Sequence, residues 1–306
     1  MNFVMAVVKD LINGTSYSVK FLLQNDIEST ISKAGIKVRK LFAGLLRIVY
    51  LTQTDYKLLV DKCEKLEWTK KGRIFAINHK QPDDAVLGAN TVGKSAYIVM
   101  GNPTLAFETT NGLGLWAHGT IIFQRDDASS RKAAYEKMKY VIEHGGNIII
   151  YPEGYWNLAD DGQADERHLA DGHNSESWLV QDIHIGIIRL AKETECEIVP
   201  TILHYDDVGK KRCYAHRGKS FRVGRCDDIF AKKDELVHIM TNMYWNLMEK
   251  HSQYSRADLE KDGRSLKQNW EELKEQFRSS CDIERVGYRL DLADEKRIGK
   301  ASYRRS

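Results

Sequence analysis

Hydrophobic and polar residues follow two periods along this chain, and each period predicts one kind of element. Short apolar runs bounded by polar or turn residues predict strands. The predicted strands are 73–77, 96–100, 120–124, 147–151, 197–203 and 220–223. Apolar residues spaced for one helical face, with Ser, Gly or Pro at the boundaries, predict helices. The predicted helices are 33–50, a helix beginning near Asp84, 129–144, 183–195 and 232–252.

The alternation of strands and helices predicts an α/β fold. We expect a mixed central sheet flanked by helices, with amphipathic helices at the N-terminus and a helical tail at the C-terminus. Three regions follow from this pattern. An N-terminal helical region covers 1–65, a central domain covers 66–252, and a polar helical tail covers 253–306.

Composition narrows the class of protein. The 306 residues are 42% hydrophobic and 29% charged, which is ordinary for a globular chain. The net charge of +3 is too small to indicate nucleic-acid binding. Five scattered cysteines without a Cys-x-x-Cys pair favour free thiols in a reducing compartment. No secretory signal is expected, and no apolar run approaches the ~20 residues that span a bilayer. These features predict a cytoplasmic protein.

The segment 33–50 combines basic residues with an apolar face. Such a helix can lie in an anionic membrane surface, or it can dock on the protein's own core. The segment alone favours the second interpretation. A lipid substrate would favour the first, because such a substrate partitions into the bilayer.

A glycine-rich string from Gly88 to Ser95 matches the phosphate-binding pattern G-x-x-x-x-G-K-[ST]. That pattern binds phosphate only between a preceding strand and a following helix. Here a helix start precedes the string and an apolar, strand-like run follows it. We therefore interpret the match as a coincidence in which Gly93 ends a helix. A nucleotide-dependent enzyme stays open as an alternative.

The residues after the first predicted strand carry the first candidate chemistry. The apolar run ending at Ile77 is followed by Asn78-His79, and Asp84 lies just beyond Pro82. Pro82 suits a turn or a first helical position, so Asp84 is expected near a helix start. A carboxylate there could bind one imidazole nitrogen and leave the other as a base.

Three later stretches also place an arginine, a Pro-Glu-Gly turn or a proline at the end of a predicted strand or within one. They are Gly119 to Arg125, the turn Tyr151-Pro152-Glu153-Gly154, and Val199-Pro200. We expect Arg125 at the same sheet edge as His79, where its guanidinium could bind a phosphate through two hydrogen bonds. Glu153 on a rigid turn could accept hydrogen bonds from hydroxyls or orient the arginine. Each of these stretches is common in proteins when it occurs alone. The occurrence of all four in one chain, including the segment from Asn78 to Asp84, is not explained by chance.

Together the four stretches resemble the sequence blocks of the glycerolipid acyltransferase family, whose usual members are 1-acyl-sn-glycerol-3-phosphate acyltransferases. The first block is the HX4D motif from His79 to Asp84, and the resemblance covers roughly residues 70–225. It implies transfer of an acyl group to the hydroxyl of a lysophospholipid at a membrane surface by a peripheral enzyme. The donor would be acyl-CoA or acyl carrier protein, with no other cofactor and no metal.

The resemblance also implies a role for each matching residue. His79 would be the base and Asp84 would orient it. Arg125 and Glu153 would bind the glycerol phosphate of the acceptor. The further substrate-binding positions are Asn78, Gly119 and Gly154.

Some residues depart from the family pattern. The third block usually continues Gly-Thr-Arg-Ser, whereas Tyr155-Trp156-Asn157 follow Gly154, so a second cationic phosphate contact is missing. Gln81 replaces a serine that is common in the first block. A different lysophospholipid or a glycolipid therefore remains an alternative acceptor, and a non-catalytic lipid-binding relative is a further alternative.

The polar segment 155–180 is longer than the family pattern leads us to expect. Its length predicts a surface loop on the substrate side, such as a lid. His168 and His173 lie in this segment without further fixed ligands, so we interpret them as solvated side chains rather than a metal site.

Overall fold

The structure is a computed structural model that describes residues 22–24, 26–52, 54–80, 83–101, 119–154, 180, 183–206, 211–252 and 255–257. The predicted loop 155–180, with His168 and His173, lies outside the described residues except for Val180. The predicted tail lies outside them beyond Ala257. The region boundaries near residues 65 and 252 stay predictions.

The described residues form an α/β fold, as the sequence predicted. The helices are α1 Ile27–Thr30, α2 Lys33–Leu51, α3 Asp84–Val92, α4 Ala128–Glu143, α5 Gly186–Thr194 and α6 Ile229–His251. The strands are β1 Lys57–Val60, β2 Ile74–Ile77, β3 Ala96–Met100, β4 Thr120–Ile122, β5 Asn147–Ile150, β6 Ile198–Asp206 and β7 Arg212–Arg217.

Four features of the structure differ from the predictions. Residues 57–60 lie in the predicted helical region but form β1, and β7 was not predicted because charged residues frame its short apolar centre. The predicted strand 220–223 contributes only a bridge between Phe221 and Ile198. Helix α4 is capped by Asp127, whose carboxylate accepts from the backbone of Ser129 and Ser130, rather than by those serines.

One mixed sheet of seven strands organises the described residues, in the order β1-β7-β6-β2-β5-β3-β4. Strands β6, β2, β5, β3 and β4 run parallel to one another, so their carboxyl ends meet at one edge. Strand β7 is antiparallel to β6, and β1 follows the direction of β7. We call the edge formed by the five parallel strand ends the carboxyl edge.

Each face of the sheet buries its own apolar layer, because successive strand residues point to opposite faces. Ile74 and Ala76 of β2 pack with α4, α5 and α6. Phe75 and Ile77 pack with α3 on the other face. Pro200 lies in the sheet interior, paired with Ala76, rather than on an edge strand.

Helix α2 is docked on one side and exposed on the other. The buried Arg39 donates a hydrogen bond to the Tyr97 hydroxyl, and Lys40 Nζ lies 2.7 Å from the Gly145 carbonyl oxygen. On the other side Leu41 is 82% exposed and Ile48 is 67% exposed. Among the described residues, no helix combines the length and the apolar character needed to cross a bilayer.

Candidate active site

The first site residue follows β2 at the carboxyl edge. Ile77 ends β2, and His79 lies two residues later, close to the start of α3. His79 Nδ1 lies 2.9 Å from Oδ2 of Asp84, the first residue of α3. The His79 side chain is 21% exposed, whereas the Asp84 side chain is fully buried. The predicted imidazole–carboxylate pair is therefore present, with the imidazole on the solvent side.

Asp84 is held from several directions. Its Oδ2 also accepts a hydrogen bond from the backbone N–H of Lys80. The Tyr205 hydroxyl donates a hydrogen bond to Oδ1. An ionised carboxylate can only accept hydrogen bonds, so the neutral imidazole of His79 must carry its proton on Nδ1. The lone pair is then on Nε2, where it can take a proton from another molecule.

Tyr151 fixes the imidazole ring from its other side. The Tyr151 ring stacks on the His79 ring with centroids 4.5 Å apart, and its hydroxyl donates to the Asp84 carbonyl oxygen at 2.8 Å. Burial, together with the nearby Asp84 charge, raises the pKa of Tyr151 well above its ordinary value. Tyr151 therefore stays a neutral donor, and it holds both members of the pair.

Glu153 and Asn78 are both fully buried and bound within the protein. Glu153 Oε1 accepts a hydrogen bond from the His79 backbone N–H at 2.8 Å. The Asn78 amide bonds both backbone groups of Leu203, with Nδ2 3.0 Å from the carbonyl oxygen and Oδ1 2.7 Å from the nitrogen. Both residues were predicted to bind substrate. The geometry instead favours a positioning role, because each one fixes the segment that carries His79.

Arg125 lies at the carboxyl edge, as predicted. It follows β4, and its guanidinium donates a hydrogen bond to the carbonyl oxygen of Gly154. Gly101, just after β3, leaves room for this side chain, because a Cβ at Gly101 would lie 2.8 Å from Arg125 Nε. A guanidinium has five N–H donors, so one arginine can bind a carbonyl oxygen and an anion at the same time.

Gly119 is the predicted site residue that lies elsewhere. It precedes β4 and is therefore at the amino end of the parallel strands, opposite the carboxyl edge. Its φ is +79°, and a Cβ there would lie 3.1 Å from the Tyr97 ring and 3.2 Å from Arg39. This glycine permits close packing of α2 and β3. The structure does not bring Gly119 together with His79 and Arg125, and its substrate contact stays a prediction.

The glycine-rich string 88–95 does not form a phosphate loop. Its first five residues belong to α3, and β3 follows at Ala96. Gly93 ends α3 with a φ of +67°, as predicted. Gly88 packs against the side chains of Ile77 and Tyr151. The backbone N–H groups that a phosphate would need lie inside a helix, so this string gives the nucleotide alternative no support.

The sequence did not identify two further residues near the site, Tyr205 and His184. Tyr205 lies two positions after Leu203 on β6, so the alternation of strand side chains could have placed both on the α3 face. His184 lies against Gly154 ahead of α5, and its sequence neighbours give no motif that would single it out. Among the described residues, no group of three or more His, Cys, Asp or Glu side chains could hold a metal ion.

The fold and this edge define an α/β protein with a carboxylate-oriented histidine and an arginine at the same edge of the sheet. The family model described as acyltransferase matches residues 57–204, which include His79, Asp84, Arg125 and Glu153. This match to an acyltransferase domain confirms the family predicted from the motifs and supports acyltransferase activity.

The comparisons with solved structures and with curated proteins add no argument about the activity of this chain. Among solved structures, the chain is similar to the crystal structure of the 1-acyl-sn-glycerophosphate (LPA) acyltransferase PlsC from Thermotoga maritima. The two chains are 13% identical with a TM-score of 0.48, and the similarity covers 83% of this chain and 98% of that one. No curated protein matches this sequence.

Proposed function

We propose that this protein transfers a fatty acyl group from an acyl thioester to the hydroxyl of a lysophospholipid in phospholipid biosynthesis. The acceptor we favour is 1-acyl-sn-glycerol-3-phosphate. The observation that carries the proposal is the contact between His79 and the buried Asp84 at the same edge as Arg125. The first two residues supply a base, and the third supplies a cation for a phosphate.

The proposed reaction has one base and no covalent enzyme intermediate. His79 Nε2 takes the proton of the acceptor hydroxyl as the oxygen attacks the thioester carbonyl carbon. The C–S bond then breaks, and the imidazolium returns the proton to the departing thiolate. Asp84 keeps the Nδ1–H tautomer in place and stabilises the imidazolium through their 2.9 Å contact. Glu153, Asn78 and Tyr151 hold the geometry of the pair.

Arg125 would bind the acceptor through its phosphate. A guanidinium forms two parallel hydrogen bonds to phosphate oxygens, so it fixes orientation as well as charge. The bond from Arg125 to the Gly154 carbonyl ties this cation to the turn that carries Glu153. Because Glu153 holds the backbone of His79, the phosphate and the base are connected through one short turn.

The proposed substrates place the reaction at a membrane surface. The exposed side of α2 carries Val38, Leu41, Leu45, Ile48 and Leu51, which recur at the spacing of one helical face. We propose that this apolar stripe inserts into the interface and makes the protein peripheral to the membrane. Because Arg39 and Lys40 bind the domain, the stripe would hold the carboxyl edge in a defined position on the bilayer.

A transfer assay tests the proposed reaction. Purified protein receives radiolabelled acyl-CoA or acyl carrier protein with a panel of lysophospholipids, a glycolipid and a monoacylglycerol. We expect labelled product with lysophosphatidic acid above all other acceptors, and the comparison of donors identifies the thioester. A preference for another head group would replace the acceptor and keep the chemistry. No transfer with either donor would refute the proposal.

A flotation assay with anionic vesicles tests the proposed stripe. A double variant with Leu41→Asp and Ile48→Asp places two charges on the stripe, and we expect it to lose most vesicle binding. Phe230→Asp is the matched control, because Phe230 is also exposed but lies on α6. Equal vesicle binding by the double variant and the wild type would remove α2 as the membrane contact.

A further inference from the structure

A histidine outside the four sequence blocks lies against the turn at Gly154. His184 donates its backbone N–H to the Pro152 carbonyl oxygen at 2.9 Å, which fixes its main chain to this turn. Its imidazole occupies the space beside the Gly154 α-carbon. A Cβ added to Gly154 would lie 2.7 Å from His184 Nε2 and 3.0 Å from Cδ2. The exposed imidazole therefore reaches the carboxyl edge from the α5 side.

The side chain of Arg125 contacts the same glycine at the Gly154 carbonyl oxygen. The guanidinium donates to the Gly154 carbonyl, while the imidazole lies at the Gly154 α-carbon. Gly154 has a φ of +77°, a left-handed conformation that favours glycine. Two nitrogen-bearing side chains from different elements thus meet on one residue, next to the Glu153 that holds His79.

A bidentate guanidinium does not engage every oxygen of a phosphate monoester. The monoester carries a charge of about −1.5 to −2 near neutral pH and presents three acceptor oxygens. A bidentate guanidinium engages two of these oxygens. An imidazole N–H beside the residue that the guanidinium contacts can donate to the third oxygen, and a protonated imidazole would add charge.

We propose that His184 is a substrate-specificity residue that binds the acceptor phosphate together with Arg125. This inference rests on the proposed function, because it assigns a second contact to the same lysophospholipid. His184 recognises the phosphate and takes no part in proton transfer to the acceptor hydroxyl. Its loss raises KM for a phosphate-bearing acceptor and leaves kcat nearly unchanged.

Steady-state kinetics of three variants test this role. We expect His184→Ala to raise KM for lysophosphatidic acid about tenfold, the effect of losing one hydrogen bond to a charged group. We expect kcat to stay within about twofold, because the base is intact. His184→Gln keeps an N–H donor and should recover most of the affinity. His238→Ala removes an exposed histidine from α6 and should change neither constant.

Two further measurements distinguish a failure of this inference from a failure of the proposed function. With a monoacylglycerol acceptor, which has no phosphate, His184→Ala should match the wild type. Binding of sn-glycerol 3-phosphate, measured by thermal shift, should be weaker in His184→Ala than in the wild type. An unchanged KM for lysophosphatidic acid in an active, folded His184→Ala variant overturns this inference alone. A wild type that neither acylates lysophosphatidic acid nor binds sn-glycerol 3-phosphate overturns both.

Discussion

The two faces of the sheet differ where β2 and β6 end at the carboxyl edge. Neighbouring residues point to opposite faces, so His79 and Tyr205 lie on the α3 side with Asp84. Their sequence neighbours Lys80 and His204 lie on the α6 side. There the Lys80 ammonium is 4.4 Å from the centre of the Tyr244 ring, and His204 Nδ1 is 3.4 Å from the Tyr244 hydroxyl.

His79 and His204 show how the surroundings of a histidine decide whether it can transfer a proton. His79 has a carboxylate partner and an exposed edge, whereas His204 is 2% exposed. Burial lowers the pKa of His204 to about 3, and the positive charges of Lys80 and His251 add to this effect. His204 therefore stays neutral near pH 7. Charge sign and access to solvent, rather than residue type, separate a histidine suited to proton transfer from one that only packs.

The strongest test of this comparison replaces each histidine by alanine. We expect His79→Ala to lose ~10²–10⁴-fold in kcat, the usual contribution of a general base, with little change in thermal stability. We expect His204→Ala to keep activity within a few-fold but to lose on the order of 2 kcal/mol of stability, because a buried side chain is removed. Transfer assays and thermal unfolding measure both variants. Near-normal turnover in His79→Ala would contradict the assignment of the base.

Acid unfolding sharpens the contrast at His204. In the unfolded chain a histidine binds a proton near pH 6.5, whereas the pKa of native His204 is about 3. Between these values the unfolded state binds more protons, so the free energy of unfolding falls as the pH drops below 6.5. Between pH 7 and pH 5 this single group accounts for a loss of about 2 kcal/mol.

His204→Gln removes that group, so its stability should fall less than the wild type's over the same interval. Urea unfolding at pH 7 and pH 5, followed by circular dichroism, measures the difference. His238→Gln on the exposed side of α6 serves as the control and should follow the wild type. Parallel losses in His204→Gln and the wild type would mean that His204 is not a buried neutral histidine.

The strand ends could be predicted from the sequence, but the directions of several side chains could not. Apolar runs ending before Asn78, Arg125 and Tyr151 were enough to place His79 and Arg125 at one edge, because parallel strands share their carboxyl ends. The burial of Asn78 and Glu153 depends on backbone groups of Leu203 and His79, which no sequence pattern shows.

Gly119 and Tyr205 show two other limits of the sequence. Gly119 opens a strand rather than following one, so a motif that joins it to Arg125 spans both ends of β4. Tyr205 reaches Asp84 from a strand that lies more than a hundred residues later in the chain, and the long-range packing that joins them has no local signal. β7 was missed because its partner β6, rather than its own composition, makes it a strand.

The smallest effect that we expect compares two tyrosine hydroxyls on opposite faces. Tyr205→Phe removes a hydrogen bond to the Asp84 carboxylate, so the carboxylate holds the imidazole less firmly. We expect kcat to fall about tenfold with KM unchanged, since one charge-assisted hydrogen bond is lost. Tyr244→Phe removes the hydroxyl near His204 and should leave both constants as they are.

Steady-state kinetics of the wild type and the two variants measure this comparison. An equal fall in kcat for both variants would show that the hydroxyl on the α3 face has no special connection to the base.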